Sequence, residues 1–183
     1  VSFEREEPLD MRYDITGGKT AAGIVNNAKE EELIDVLKNY GEEHYARRIA
    51  KYIVEARSRG RIQTTSQLVE IVRRAVPQRY RKGSLHCATR TFQALRIAVN
   101  DELGCIRRAL EAATTLLAPA GKLVVISFHS LEDRIVKNHF RNYETKNGSL
   151  RTLTRKPVRA SREEISVNPR ARSAKLRAAE KRW

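Results

Sequence analysis

No run of apolar residues in this sequence is long enough to span a bilayer, and no signal-peptide pattern opens it. Cysteine is scarce: Cys87 and Cys105 are the only two and lack CxxC spacing, which fits a reducing, cytoplasmic setting. His86 beside Cys87 hints at a metal, but two further ligands at suitable spacing are missing, so none is expected. No internal repeat or low-complexity segment occurs, and no GxGxG-like stretch; the only adjacent glycines are Gly17 and Gly18. Acidic residues are outnumbered, 22 Asp and Glu against 36 Lys and Arg, for a net charge of +14. That excess directs attention to polyanionic partners, nucleic acid before anionic membrane. The 183 residues suffice for one domain or a domain with an insertion. The first residue is Val rather than Met, so a piece of something longer is expected.

The most informative stretch is GKLVVISFHSLEDRIVK at 121–137. Its apolar run at 123–126 is continuous rather than alternating, which predicts a strand buried on both faces of a parallel sheet. Beyond it the chain turns polar at Ser127, His129 and Ser130 and becomes helical from Leu131, with Ser130 and Asp133 at capping-box spacing. In open α/β sheets ligands sit outside the carboxyl ends of the strands, so residues 127–134 stand where a pocket would be. The same residues would also serve a turn that merely caps a helix.

Upstream, residues 1–19 read as a loop in which Asp10, Arg12 and Asp14 alternate, so that an extended backbone would place them on one face. A solvated loop with an internal Arg–carboxylate pair has the same spacing. From 20 to 76 the pattern is of short amphipathic helices. One carries Leu33, Ile34 and Leu37 and stops at Gly41; another carries Tyr45, Ile49, Tyr52 and Ile53. A third opens on a capping box of Thr64 and Gln67 and ends at Pro77. Their succession predicts a small helical subdomain. Residues 78–88 are a basic connection.

An apolar stripe of Phe92, Leu95, Val99, Leu103, Ile106, Leu110, Ala113 and Leu117 then predicts one long helix, closed by Pro119 and Gly121. Asn100 and Asp101 in its middle have poor helix propensity, which favours a specific contact there. Helix, Gly turn, strand and helix make an αβα unit, the second half of a doubly wound fold. The tail from 150 to 183 holds 11 Lys or Arg against 3 Glu. It offers an edge strand ended by Pro157, a short helix capped by Ser161 and Glu164, and the cations Arg170, Arg172, Lys175 and Arg177. A disordered basic tail and a phosphate-binding segment are both consistent with it.

Five motifs together resemble one family. PLDMRYD at 8–14, YGEEHYARRIAKYIVEAR at 40–57, ATRTFQALRIAVNDEL at 88–103, VVISFHSLEDRIVK at 124–137 and NPRARSAKLRAAEK at 168–181 keep their order and cover nearly the whole chain. They resemble the bacterial S-adenosylmethionine-dependent methyltransferases that modify N4 of a cytidine in small-subunit (16S) ribosomal RNA, the MraW/RsmH family. The chain departs from the family pattern at Tyr13 (usually Met), Cys87 (usually Pro) and Ala120 (usually Gly); Ala120 is expected to sit in a turn that does not need φ > 0.

The resemblance implies the carboxyl-terminal part of a Rossmann-like class I methyltransferase fold with an all-helical cap. It divides the chain into a pocket loop (1–19), a substrate-recognition cap (20–87) and the last methyltransferase elements with a basic tail (88–183). It implies S-adenosylmethionine as methyl donor, held mainly by a Gly-rich half expected before Val1, so that the chain alone is expected to be inactive. The partners implied are small-subunit ribosomal RNA or the 30S subunit in the cytoplasm, with no membrane. In the whole enzyme a cytidine exocyclic amine would attack the sulfonium methyl, with positioning and proton removal supplying the catalysis. Asp10, Arg12, Asp14, Asn100, His129, Ser130 and Asp133 are the candidate walls of the substrate pocket. Arg90, Arg96, Arg134, Arg170, Arg172 and Lys175 are the candidate RNA contacts. No residue is singled out as the base. The alternative is a non-catalytic RNA-binding module or remnant of such an enzyme. A strand deprived of its neighbours is further expected to make the isolated chain marginally stable, aggregation-prone or a homodimer.

Overall fold

The computed structural model describes residues 6–83, 85–146 and 148–183. The first five residues of the predicted 1–19 loop lie outside the described residues. The chain folds as two compact units, Val1–Glu102 and Leu103–Trp183. No helix among the described residues is long and apolar enough to cross a membrane.

The first unit is helical: α1 (Ala21–Asn27), α2 (Glu30–Gly41), α3 (Ala46–Arg57), α4 (Thr65–Ala75), α5 (Gln78–Arg81) and α6 (Thr89–Asn100). Local chemistry sets the boundaries. Thr20 caps α1 through the amide of Gly23. Three glutamates in the first turn of α2 suit the positive end of its dipole. Thr64 and Gln67 form the expected reciprocal box at the start of α4. Leu33, Leu37, Ile49, Ile53, Leu68, Val72 and Leu95 fill one core. Gly41 permits the close packing of α2 on α6, since a Cβ there would lie 2.6 Å from the Arg90 carbonyl oxygen. Before α1, Pro8 bridges antiparallel to Thr64, and this seats Leu9 and Met11 in the core.

The predicted long helix is two. Asp101 adopts φ +47°, which ends α6; α7 (Glu102–Leu116) then begins. Asp tolerates the left-handed region better than most residues, and Asn100 is drawn away by a tertiary contact described below. Because α6 packs on α2, the first compact unit runs on to Glu102.

The second unit contains α7, β1 (Lys122–Ser127), α8 (Ser130–Thr145), β2 (Leu150–Thr152), α9 (Arg162–Val167), a 3-10 turn (Pro169–Ser173) and β3 (Lys175–Lys181). Its sheet has the order β1-β3-β2 and is antiparallel throughout, with Lys122 opposite Glu180 and Ser127 opposite Lys175. The chain is therefore mixed α/β, but among the described residues β1 lies in no parallel pair. Nor is β1 buried on both faces. Leu123 and Val125 pack toward Leu110, Val136, Phe140, Leu150 and Ala179, whereas Val124 and Ile126 are 53% and 55% exposed. The run is continuous because both faces are apolar, and only one meets this core.

The basic tail is ordered, and its last segment is the central strand. Ser161 caps α9 as its spacing predicted, and β2 pairs with β3 at the edge of the described sheet. Two local expectations are corrected. Ala120 takes φ +62°, where its amide donates to the Lys181 carbonyl at 2.9 Å and extends the β1–β3 pairing by one residue. The cap of α8 is His129 with Glu132, one residue earlier than Ser130 with Asp133. Glu132 reaches back to the amides of Phe128 and His129, and Asp133 is committed elsewhere.

Candidate functional site

In the first unit the PLDMRYD segment is clamped onto the end of α6. Asn100 Nδ2 donates to the Met11 carbonyl at 2.8 Å, and its Oδ1 accepts from the Tyr13 amide at 2.9 Å. Between them Met11 sits at φ +66° with its side chain buried, a conformation that costs energy and persists only when surrounding contacts over-determine it. This turn breaks the predicted alternation. Asp10 and Arg12 still meet, as a two-pronged ion pair of 2.7 and 2.8 Å, with Arg12 also donating to the Gly17 carbonyl. Asp14 instead turns to Thr16, accepting from its amide (2.9 Å) and hydroxyl (2.6 Å) on Oδ1 alone. The hydrogen bond from Arg12 holds Asp10 below the usual carboxylate range, and those from Thr16 do the same for Asp14. Both are therefore ionised acceptors at neutral pH.

Arg96, a candidate RNA contact, is instead the partner of Glu102, with bonds of 2.7 and 3.0 Å. Glu102 also accepts from the Tyr13 hydroxyl at 3.3 Å, so α6 and the loop share a polar network. Arg90 donates to the Glu42 carbonyl at 2.9 Å. It also lines a cavity of about 400 Å³ with His44, Tyr45, Arg79, Tyr80 and His86. At this place Tyr80 donates to both oxygens of the buried Glu43, each at 3.0 Å. Burial, with the Glu43 charge adding to it, pushes the Tyr80 phenol up to about 12. Nothing in the motif spacing pointed to this pair, which needs α5 folded back on residues 43–45.

In the second unit the β1–α8 turn carries the other candidates. His129 Nδ1 accepts from the Glu132 amide at 3.4 Å, and Ser130 opens α8. Asp133 accepts from Arg177 Nε at 2.6 Å and from its Nη2 at 3.3 Å, with Lys175 Nζ 3.6 Å away. Burial alone would raise the Asp133 carboxyl, but the bonds and charges of Arg177 and Lys175 outweigh it and hold it low. Lys175 is thus tied to Asp133, and Arg177, expected on a solvated basic tail, is only 7% exposed. Arg134, Arg170 and Arg172 are exposed, the last two on the 3-10 turn. The structure therefore gathers Asp10, Arg12, Asp14 and Asn100 in one unit and His129, Ser130, Asp133 and Lys175 in the other.

The described residues do not make a cradle for S-adenosylmethionine. Such a donor is held where a Gly-rich turn lets backbone approach at the carboxyl end of a strand. Here β1 runs into Phe128 and His129, and β2 into Leu153, without a glycine at either exit.

A sequence model of the MraW methylase family matches residues 1–182. The curated relatives include the ribosomal RNA small subunit methyltransferase H of Geobacter sulfurreducens. It is 53% identical over 194 residues, with 98% of this chain and 62% of the relative covered. The proteins of the same name from Sulfurihydrogenibium sp. and Kosmotoga olearia are 54% and 56% identical, covering 96% and 98% of this chain and 60% and 59% of their own lengths. The chain thus spans about three-fifths of the length of the curated relatives it matches. With a match that runs through the clamped loop, the β1–α8 turn and the central strand alike, this chain belongs to the MraW methylase family.

Proposed function

We propose that this chain is the acceptor-binding portion of an S-adenosylmethionine-dependent methyltransferase that modifies N4 of a cytidine in small-subunit ribosomal RNA, in the cytoplasm. The observation that carries this reading is the likeness over 98% of the chain to relatives named ribosomal RNA small subunit methyltransferase H. The donor would supply an electrophilic methyl group, and we place its site in the part of the relatives' length this chain does not span. On the acceptor side, Asp14 is the carboxylate best placed to meet an exocyclic amine. Its Oδ1 is taken by Thr16, while Oδ2 has no hydrogen-bond partner among the described residues, and Asp is a natural acceptor for cytosine N4–H. Its lowered pKa suits it to orienting that amine, not to storing its proton. Asp10 and Arg12 shape the loop, and Asn100 holds it. Helices α1 to α5 form the substrate-recognition cap in this reading, and β1 to β3 the antiparallel margin of a Rossmann-like sheet, a common variation on doubly wound folds. In the isolated chain, the exposed Val124 and Ile126 would be covered by a second copy.

The test is methyl transfer by the complete gene product from isotopically labelled donor to small subunits lacking their modifications, followed by nucleoside mass spectrometry. N4-methylcytidine is expected, and Asp14→Asn should lower kcat more than it raises KM. Label in another nucleoside, or none in RNA, would overturn the assignment. A second reading, an RNA-binding module without catalysis, is favoured for the 183-residue chain alone by the lack of a donor cradle among its described residues. Calorimetry should then detect no donor binding, and measurable affinity would refute that placement.

A further inference from the structure

The second unit contains a cavity of about 560 Å³ between the later turns of α8, β2 with the loop after it, and the end of β3. Six of its lining residues are cationic: Lys137, Arg141, Arg151, Arg155, Arg177 and Arg182. Glu144 is the sole carboxylate among the described lining residues, and it accepts from the Thr152 amide at 3.1 Å. Arg177 is neutralised by Asp133 and Arg151 by Glu180. Lys137, Arg141, Arg155 and Arg182 have no ion-pair partner among the described residues. Lys137 and Arg141 stand one turn apart on α8, where like charges at this spacing destabilise a helix unless something offsets them. Thr152 also lines the space; its hydroxyl oxygen is buried and lacks a hydrogen-bond partner among the described residues. This is a polar, cation-rich concavity with unmet donors, the complement of an anion.

We infer that this cavity binds the phosphodiester backbone of a single-stranded RNA segment, away from the acceptor-binding loop. The inference rests on the RNA reading above for the identity of the polyanion. Four unneutralised cations exceed the charge of one phosphate, and the volume exceeds what one phosphate fills, so successive phosphates of a strand match the site better than an isolated anion. A second observation agrees. Trp183, the one tryptophan of the chain, follows Arg182, is 65% exposed and has its ring against Gly148. An exposed aromatic beside a basic groove is the usual platform for single-strand binding, where bases stack while cations follow the backbone. None of Lys137, Arg141, Arg155 or Arg182 is among the cations singled out from the motifs; their gathering depends on β3 entering the sheet.

The test is fluorescence anisotropy of a labelled single-stranded RNA of about 12 nucleotides, within the site size of such grooves, titrated with the 183-residue chain over a salt series. The variant is Arg141→Glu with Arg155→Glu. The control, Arg159→Glu with Arg162→Glu, changes the same charge on exposed residues outside the cavity, and circular dichroism confirms that both fold. The cavity variant should bind at least about tenfold more weakly, and its slope of log K against log salt should be shallower by about 1.4, or 0.7 for each lost phosphate contact. The control should bind within about threefold of the parent with an unchanged slope. Trp183→Ala should weaken binding about fivefold or more through lost stacking, leaving the slope unaltered. Equal losses in cavity and control variants would overturn the site and leave the methyltransferase reading intact. No salt-dependent RNA binding by the parent would overturn the site, while the methyltransferase reading is decided by the methyl-transfer assay above. Displacement of RNA by stoichiometric inorganic pyrophosphate would replace the strand with a small polyphosphate.

Discussion

Replacing Asp133 with Asn tests whether the carboxylate under β3 is a structural counter-charge. Asp133 is 14% exposed and Arg177 7%, and they are joined by bonds of 2.6 and 3.3 Å. Removing one partner of a buried pair typically costs about 3–5 kcal/mol, because the remaining charge is left poorly hydrated. Asn keeps one acceptor oxygen and the site is not fully dry, so about 3 kcal/mol is expected. For a chain of this length that lowers the melting temperature by about 6–12 °C in a single cooperative transition. Adding Arg177→Met removes the stranded charge, so the double variant should recover more than half of the loss. The pH dependence has a definite sign. The folded pKa of Asp133 lies below its ordinary 3.8, so the unfolded state takes up the proton first as pH falls. The contribution is present in full well above pH 3.8 and is lost as pH drops through the folded value. Asp133→Asn should lack this acid-side loss. Scanning calorimetry across pH measures both effects. A single variant melting within about 2 °C of the parent, or a double variant as unstable as the two singles added, would refute the reasoning.

Asn100→Ala should cost about 1–2 kcal/mol by chemical denaturation, because two bonds to the Met11–Tyr13 backbone are lost. Hydrogen exchange at the Tyr13 amide should accelerate, and unchanged protection would show that the loop holds itself. Ala120→Gly should stabilise by about 1 kcal/mol, since Gly adopts φ +62° without the Cβ conflict; a lower melting temperature would mean the turn is not strained. An alkaline absorbance titration should show one tyrosine ionising near 12, and Tyr80→Phe should remove it. The same variant should cost about 1.5–3 kcal/mol, through the lost bond to the charged, buried Glu43.

Local chemistry was legible in the sequence where it is self-contained. The caps at Thr64 and Ser161 need only residues three positions away, and the apolar faces of α2, α3 and α4 follow from their own spacing. What was not legible depends on distant partners. Asp101 breaks the long helix where Asn100 is claimed by Met11, 89 positions earlier. KLRAAEK at 175–181 reads as a solvated basic run because its strand character comes from pairing with β1, and the burial of Arg177 from a carboxylate 44 positions away. The cap of α8 falls on His129 with Glu132 rather than on the expected Ser130 with Asp133, because that same pair takes Asp133 out of competition. The loop residues Asp10, Arg12 and Asp14 were located by motif, but their alternation misled because Met11 enters the left-handed region.

The place of β3 between β1 and β2 bears on how this unit is made. Lys122 must find Glu180, and Leu150 must find Lys181, so the ladder closes only when the last strand arrives. During synthesis, a nascent chain ending before residue 175 presents β1 and β2 with no strand to join them, for as long as the following residues remain in the ribosome. Translation speed through 153–181, a stretch rich in arginine codons, therefore sets how long that sticky intermediate is exposed to chaperones and to its neighbours on the same message.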